Sequence, residues 1–479
     1  MTQDLLSTFY SASLEEQAVL AAQPAYAEAL TTHLGEAVFA EYESLAAEVR
    51  GYSAQQHLGL AHPKNLLFVP GIMGSMLSSR TLGGLWWIDV VRGHDKLDKL
   101  ALDPSGANDA DPTYQIYPSG IDTAYAPFQR AALLREDFGH DVFPYDWRKP
   151  LTLSTKLMRD KIMELYASNG NVPVHIVAHS MGGLMTRATL AAHGAELWPL
   201  LGRLVFVGTP HYGAPLAACK LKFHLWGASV QDVLLAMLIK PETFRSLWGA
   251  VSLIPAPLGI YPDTRTPGAQ HPGLNFDHYT ANEWKLGLTP PATQQWQRIL
   301  DFVAGFHRTL YDYHTGLDQS LRDRMAVIAG VGFASGFRLG LGEGLFGKDK
   351  QDNARDAGNP HRESDGTVTL ASADLENVGA TRYARVLHAE LPNHPEVYAD
   401  IFRWLKGEPM KLPATPADAL SQHLAGAEVE YPGLTAAARQ RAEAAMPDDL
   451  TPDPQLVAQL QAQIDSGQIP AELNLARPL

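Results

Sequence analysis

The chain has 479 residues, of which 46% are hydrophobic and 19% are charged, a composition typical of globular proteins. Its formal net charge of −14 argues against nonspecific nucleic-acid binding, which usually needs a basic surface, so no nucleic-acid partner is expected. The single cysteine, Cys219, allows no intrachain disulfide, so folding does not depend on an oxidising compartment.

The N-terminal region predicts a helical extension over residues 1–60. Ser13 and Glu16 fit a capping box, and Pro24 should break or kink the helix that follows. Residues 1–17 have neither a basic region nor a continuous apolar core, and the sequence has no apolar stretch of about 18 residues. We therefore expect a cytoplasmic protein, with secretion by a signal-less route left open.

Apolar segments then alternate with helical ones. Helices are predicted at about 152–168, from 182 onward and at 400–407, and the predicted strands lie within residues 64–74, 139–148, 172–180, 202–210, 324–332 and 381–388. Near-continuous apolar strands that alternate with helices predict an α/β fold, a mostly parallel sheet with helices on both faces.

The alternation assigns residues 61–210 and 324–407 to the core. Residues 211–323, rich in Trp, Pro, Leu and His, predict an inserted cap or lid over one end of the sheet. Within the insertion, residues 221–239 fit either a lid helix that opens on lipid or a core helix, since both share one apolar pattern. Residues 408–479, rich in Pro and Ala, predict a loosely attached tail with one or two short helices.

The segment VPVHIVAHSMGG (172–183) predicts a strand that ends at Ser180 and a helix that starts at once. A serine hydroxyl is a weak nucleophile that needs a base, and a sharp strand–turn–helix presents it at the carboxyl edge of the sheet. Gly182 and Gly183 let the helix approach the strand, and Ala178 stands where the first glycine of this motif usually lies. The alternative is a glycine-capped strand end with an incidental serine.

An acid and a base should follow the nucleophile in chain order, each after a later strand. Asp365 fits the acid, although Asp-Gly is also an ordinary turn. The base is His388 or His394. We prefer His388, because it ends a predicted strand, whereas His394 precedes Pro395 and fits the N-cap of the last helix.

Two backbone amides should stabilise the oxyanion, one after the nucleophile and one from the loop after an early strand. Met181 supplies the first, and Ile72 is the best second donor, with Met73 as the fallback. Met73 and His179, which adjoin these groups, are also predicted to contact the substrate.

Six motifs together resemble the lecithin:cholesterol acyltransferase family of α/β-hydrolases. They are VPGIMGSML (69–77), FPYDWRKP (143–150), AHSMGGL (178–184), GTPHYGAP (208–215), SDGTV (364–368) and HAELPNHPEVYADI (388–401). The resemblance covers about residues 64–406 and implies the α/β-hydrolase fold with a large helical cap.

The resemblance also implies residue roles. It makes Ser180 the nucleophile, Asp365 the acid and His388 the base of a catalytic triad. Trp86 and Trp87 fall where the family tends to carry an aromatic flap that meets lipid, so they are expected to bind substrate. Asp146 and Arg148 are expected to form a structural ion pair.

Two other motifs are set aside, and no cofactor or metal is expected. Residues 342–349 imitate a phosphate-binding loop, but Asp349 replaces the hydroxyl residue that would bind Mg²⁺. His271, Asp277 and His278 lack the spacing of a zinc site.

The sequence therefore predicts a serine hydrolase or acyltransferase that acts on lipid-like carboxylic esters through an acyl-enzyme. Its partners would be the lipid or ester, an alcohol acceptor, and a lipid or membrane surface in transient contact. The alternative is a non-catalytic relative with this fold that serves as a lipid-binding or interaction module.

Overall fold

The structure is a computed structural model. It describes residues 12–34, 39–47, 64–83, 85–87, 97–135, 137–223, 239–265, 276–342, 349–352, 355–356 and 359–422, and a few isolated positions besides. Most strands follow apolar segments of the sequence. They are β1 (Asn65–Val69), β2 (Ser75–Ser79), β3 (Leu85–Trp87), β4 (Ile116–Ile121), β5 (Gly139–Val142), β6 (Val174–His179), β7 (Leu201–Val207), β8 (Met325–Gly330), β9 (Arg338–Gly340), β10 (Lys350–Asp352) and β11 (Ala380–Ala384).

The main sheet has the strand order β11-β8-β7-β6-β1-β5, and all of its pairings are parallel. The chain adds β5 on one side of β1 and then crosses to add β6 on the other, so the direction of strand addition reverses between β1 and β6. Ligands bind outside the carboxyl ends of the strands at such a switch point. The candidate nucleophile follows β6, and the candidate oxyanion loop follows β1.

Helices and single turns of 3₁₀ helix connect the strands. The α-helices are α1 (Leu14–Ala21), α2 (Pro24–Leu34), α3 (Ala126–Leu133), α4 (Thr155–Ser168), α5 (Met181–Leu197), α6 (Pro215–Phe223), α7 (Pro241–Arg245), α8 (Trp248–Val251), α9 (Pro290–Gly316), α10 (Gln319–Arg322), α11 (Leu370–Ala373), α12 (Pro395–Lys406) and α13 (Pro416–Ser421). The 3₁₀ turns that matter for the site are Thr123–Tyr125 and His388–Asn393.

The strands bury apolar side chains on both faces of the sheet. Leu67 and Val69 of β1 join one core with α5, whereas Leu66 and Phe68 join a second core with α3 and α12. This split follows from the two-residue alternation of side chains along a strand. Each fully buried Leu or Phe contributes about 1.5–3 kcal/mol, so the two cores hold the sheet and its helices in fixed relation.

Helix α12 illustrates how the sequence specifies an element. Pro395 begins it at a position where the missing amide proton costs nothing, and Gly407 ends it in the left-handed conformation at φ 82°. Its buried residues Val397, Ile401 and Leu405 recur every fourth position, the spacing of one helical face. The helix thereby closes the second core.

The structure confirms the predicted fold class, a mostly parallel sheet with helices on both faces, as in the α/β-hydrolase fold. The N-terminal capping box is present, and the helix ends at Ala21 so that a new one starts at Pro24, as expected. The antiparallel sheet of β2, β3 and β4 was not predicted, because these strands are short and mix polar with apolar residues.

One prediction about an element end was wrong. Strand β11 ends at Ala384 rather than at 388. The amides of Lys411 and Leu412 donate to the buried carboxylate of Asp400 and so attach the start of the predicted tail, and α13 is one of the short helices expected there. Residues 224–238, which hold most of the possible lid helix, lie outside the described part of the chain.

Within the described residues, no helix combines the length and the apolar character needed to span a bilayer.

Candidate active site

Ser180 lies in the turn between β6 and α5 with φ 53° and ψ −126°, a conformation that non-glycine residues rarely adopt. Its amide donates to the carbonyl oxygen of Val207 at 2.9 Å, and its carbonyl accepts from the amide of Gly183 at 2.9 Å. These bonds hold the backbone in a strained form that presents the hydroxyl at the carboxyl end of the sheet.

Gly182 and Gly183 are required by close packing. A β-carbon at Gly182 would lie 2.5 Å from the carbonyl oxygen of Pro70, and one at Gly183 would overlap the side chain of Thr209. Real β-carbons do not approach other atoms so closely. The helix can therefore start directly behind Ser180 only with glycine at both positions.

The structure brings the three predicted triad residues together. His388 Nε2 lies 2.9 Å from Ser180 Oγ, and His388 Nδ1 lies 2.7 Å from Asp365 Oδ2. Since an ionised carboxylate only accepts, Nδ1 carries the proton and Nε2 offers its lone pair to the serine hydroxyl. This is the tautomer that a general base for Ser180 needs.

The carboxylate of Asp365 is fixed from its other side. Its Oδ1 accepts from the amides of Thr367 at 3.0 Å and Val368 at 2.7 Å, and the side chain is 1% exposed. The backbone of Asp365 also accepts from the amide of His388 at 2.9 Å. Asp365 and His388 are thus joined through both side chains and backbone.

The two candidate histidines differ in position. His388 opens the 3₁₀ turn that follows β11, instead of ending the strand as predicted. His394 is the residue before α12, as predicted, but its side chain makes no capping bond. Burial lowers the pKa of His394, and the ring has no described contact with Ser180. The geometry favours His388 as the partner of Ser180.

The predicted oxyanion loop packs directly on Ser180. A β-carbon at Gly71 would lie 3.0 Å from Ser180 Cβ. The loop is held by the hydroxyl of Tyr145, which donates to the Pro70 carbonyl at 3.0 Å, and by the Trp87 indole, which donates to the Met73 carbonyl at 2.9 Å. Its conformation requires a positive φ, 62°, at Met73.

Both predicted oxyanion donors lie at this junction. Ile72 is in the turn of the loop, and its amide donates to no acceptor among the described residues. The Met181 amide is the first of α5, so it has no acceptor within the helix. Their function as oxyanion donors, and that of Met73 in substrate binding, remain predictions.

Three predicted substrate contacts have other surroundings. Trp86 and Trp87 are only 2% and 3% exposed, so they are not an exposed aromatic flap; Trp87 packs edge-on against Trp147 and anchors the oxyanion loop. His179 is 4% exposed, and both of its ring nitrogens are bonded to protein atoms. Trp87 and His179 therefore support the site from behind, whereas Trp86 packs against Tyr114.

The other residues singled out in the sequence are an expected ion pair and two motifs that were set aside. Arg148 donates to both carboxylate oxygens of Asp146, at 2.9 and 2.7 Å, so the expected ion pair is present. Asp349 pairs with Lys222 at 3.0 Å. The described residues contain no cluster of three metal-binding side chains, and His271 of the zinc candidate lies outside them.

Gly208 is a site residue that sequence reasoning missed. It follows β7 with φ 56°, and a β-carbon there would lie 3.2 Å from His388 Nδ1 and 3.3 Å from Asp365 Oδ2. The Gly-Thr-Pro sequence is a turn signal, but only the fold shows that this turn abuts the imidazole–carboxylate pair.

We expect Gly208→Ala to lower kcat by about 10–100-fold, because the methyl group displaces the base from Ser180. The left-handed backbone should also cost about 1–2 kcal/mol of stability. Gly170→Ala is the matched control, since Gly170 has φ 67° with nothing within 4 Å of the added carbon. Equal steady-state kinetics in the two variants would contradict the prediction.

Residues 140–242 match the model of the family described as lecithin:cholesterol acyltransferase. The matched segment contains Ser180 and both of its flanking elements, so the resemblance seen in the sequence is confirmed there. The match supports ester hydrolase or acyltransferase activity in general terms.

Individual relatives are distant. The uncharacterized protein YJR098C of Saccharomyces cerevisiae is 28% identical over 239 residues, which cover 47% of this chain and 34% of the yeast protein. The match thus spans about a third of that relative. In the solved Tle4–Tli4 complex, a chain aligns with a TM-score of 0.47 and 15% identity, covering 72% of this chain and 98% of that one. The mature lipase BlEst2 of Bacillus licheniformis gives a TM-score of 0.35 and 15% identity, covering 72% and 92%.

Proposed function

We propose that this relative of the lecithin:cholesterol acyltransferase family is a serine hydrolase or O-acyltransferase acting on lipid-like carboxylic esters. The observation that carries the proposal is the continuous line from Ser180 through His388 to Asp365, with donor–acceptor distances of 2.9 and 2.7 Å. A nucleophile, a base and an orienting acid in this arrangement are what acyl transfer through serine requires.

In the proposed reaction, Ser180 Oγ attacks the ester carbonyl carbon while its proton passes to His388 Nε2. The carboxylate of Asp365 stabilises the imidazolium that forms. The amides of Ile72 and Met181 bind the negatively charged oxygen of the tetrahedral intermediate. The intermediate collapses as His388 returns the proton to the leaving alcohol, and an acyl-enzyme remains on Ser180.

A second nucleophile then enters. Water or an acceptor alcohol loses its proton to His388 and attacks the acyl carbon, and Ser180 regains its proton when the product leaves. Hydrolase and transferase share the first half of this cycle and differ only in the second nucleophile. The arrangement of Ser180, His388 and Asp365 serves both reactions equally.

Labelling with a fluorophosphonate probe tests the chemistry whatever the natural ester is. The probe forms a covalent bond only with an activated serine, so peptide mapping by mass spectrometry should find it on Ser180. Absence of labelling on Ser180 in folded protein would contradict the proposal and favour a non-catalytic lipid-binding role.

An acyl-length series tests the substrate class. We expect kcat/KM on p-nitrophenyl esters to rise from acetate to at least octanoate, because each buried methylene contributes about 0.8 kcal/mol. The support is the long insertion between β7 and β8, which is far larger than an ordinary connection between strand and helix. The assay is run below the critical micelle concentration, and added alcohols reveal transfer. A preference for acetate would leave a small-ester hydrolase instead.

A further inference from the structure

A line of buried hydrogen bonds connects the oxyanion loop to the base from behind the nucleophile. The Gly71 amide donates to Tyr125 Oη at 2.9 Å, and this hydroxyl lies 2.8 Å from His179 Nδ1. His179 Nε2 lies 3.0 Å from the carbonyl oxygen of His388. The line therefore begins beside Ile72 and ends on the base residue itself.

The chemistry of the groups fixes the direction of each bond. The His388 carbonyl can only accept, so His179 Nε2 carries a proton. Burial, with a smaller effect from His388, holds the pKa of His179 well below its ordinary value, so its ring is neutral and Nδ1 accepts. Tyr125 consequently donates to Nδ1 and accepts from Gly71. Successive bonds of one polarity strengthen each other in a low-dielectric interior.

Packing holds both side chains of this line. Tyr125 is 6% exposed, and its ring contacts those of Phe68 and His179 edge-on, at centroid distances of 5.0 and 5.6 Å. The rings of His179 and His388 are 4.9 Å apart. Both side chains are almost completely shielded from solvent, so breaking a bond of the line would leave a buried polar group without a partner.

A second connection leads from the same segment to the base turn. Asn393, at the end of the turn that His388 opens, donates from Nδ2 to the carbonyl of Ala124 at 2.7 Å. Its Oδ1 accepts from the amide of Phe128 at 3.4 Å. The chain around Tyr125 is therefore bonded to the base turn at one end and to the oxyanion loop at the other.

We propose that Tyr125 and His179 are positioning residues that set the oxyanion loop and the base at a fixed separation around Ser180. The inference rests on the proposed function and adds to it two residues whose polar groups bond to the Gly71 amide and to the backbone carbonyl of His388. Acyl transfer needs the base and the oxyanion donors to be correctly positioned around the substrate at the same time. A displacement of about 1 Å can lower the rate by 10²-fold.

Tyr125→Phe tests the line at its centre. The change keeps the ring and removes the hydroxyl, so the Gly71 amide loses this acceptor and His179 Nδ1 loses this donor. We expect kcat and the rate of fluorophosphonate labelling to fall together by about 10–100-fold, with KM little changed. Tyr313→Phe is the matched control, since the Tyr313 hydroxyl accepts from the Trp198 indole at 2.9 Å, at the C-terminal end of α5, whereas Ser180 lies at the N-terminal end of that helix.

His179→Leu and His179→Gln test the role of the imidazole of His179 in the line. Leucine removes both bonds, whereas glutamine offers one acceptor and one donor, so glutamine should restore part of the lost kcat. His175→Gln is the control: His175 is also buried in β6, but at the opposite end, where its Nδ1 accepts from the amide of Arg203 at 2.9 Å. Thermal unfolding of every variant separates loss of rate from loss of fold.

The outcomes distinguish this inference from the proposed function. If wild-type Ser180 is not labelled, the proposed function fails. If it is labelled and Tyr125→Phe reacts at the same rate, only the positioning line fails. The double variant Tyr125→Phe/His179→Gln should lose little more rate than Tyr125→Phe, because both changes break one line. Fold-losses that multiply would overturn the coupling.

Discussion

Ser180→Ala is expected to lower kcat for ester hydrolysis by about 10⁶-fold, the loss typical of removing a triad nucleophile. The hydroxyl is the only atom group removed, and the strained turn is held by backbone bonds to Val207 and Gly183 that alanine keeps. The fold should therefore persist while the acyl-enzyme can no longer form.

The measurement is steady-state hydrolysis of p-nitrophenyl octanoate by purified variant and wild type, with circular dichroism as the check on folding. Ser252→Ala is the matched control, because Ser252 is fully buried and its hydroxyl donates to the Trp248 carbonyl at 2.8 Å. Retention of more than a few per cent of wild-type turnover by Ser180→Ala would exclude Ser180 as the nucleophile.

His388→Ala should have an effect of similar size, since loss of the base alone costs about as much as loss of the whole triad. His394→Ala should lower kcat far less. The two residues lie six positions apart on the same segment, and both are largely shielded from solvent, but only the His388 ring joins Ser180 to Asp365.

The same ester assay compares the two histidine variants, with unfolding temperatures measured in parallel. His394 makes no side-chain capping bond to α12, so its replacement removes packing and leaves the helix start intact. A larger kcat loss in folded His394→Ala than in folded His388→Ala would transfer the role of base to His394.

The sequence pattern favours His388 over His394 for a reason that is partly wrong. The pattern predicts a strand that ends at residue 388, whereas β11 ends at Ala384. The side chain reaches Ser180 because the chain turns back in a 3₁₀ segment that Asn393 ties to Ala124. Such a turn depends on a contact between residues 269 positions apart in the sequence, which local patterns do not contain.

The burial of the two tryptophans does not follow from the sequence pattern. Their position in the family pattern predicted an aromatic flap in contact with lipid, but Trp86 packs against Tyr114 and Trp87 packs against Trp147, and both side chains are buried. Burial of an aromatic side chain is decided by what packs over it, and the composition of three residues is compatible with both outcomes.

The sequence by itself determined the local framework of this protein. The alternation of apolar strands with helices, the turn at Ser180 and the glycines behind it follow from backbone conformation and side-chain size, which act over a few residues. Only the tertiary structure decided which histidine faces the serine, that the tryptophans lie inside, and that Tyr125 and His179 link the Gly71 loop to His388. Those results depend on the order in which parallel strands assemble, because that order brings the ends of β1, β6 and β8 and the turn after β11 to one edge of the sheet.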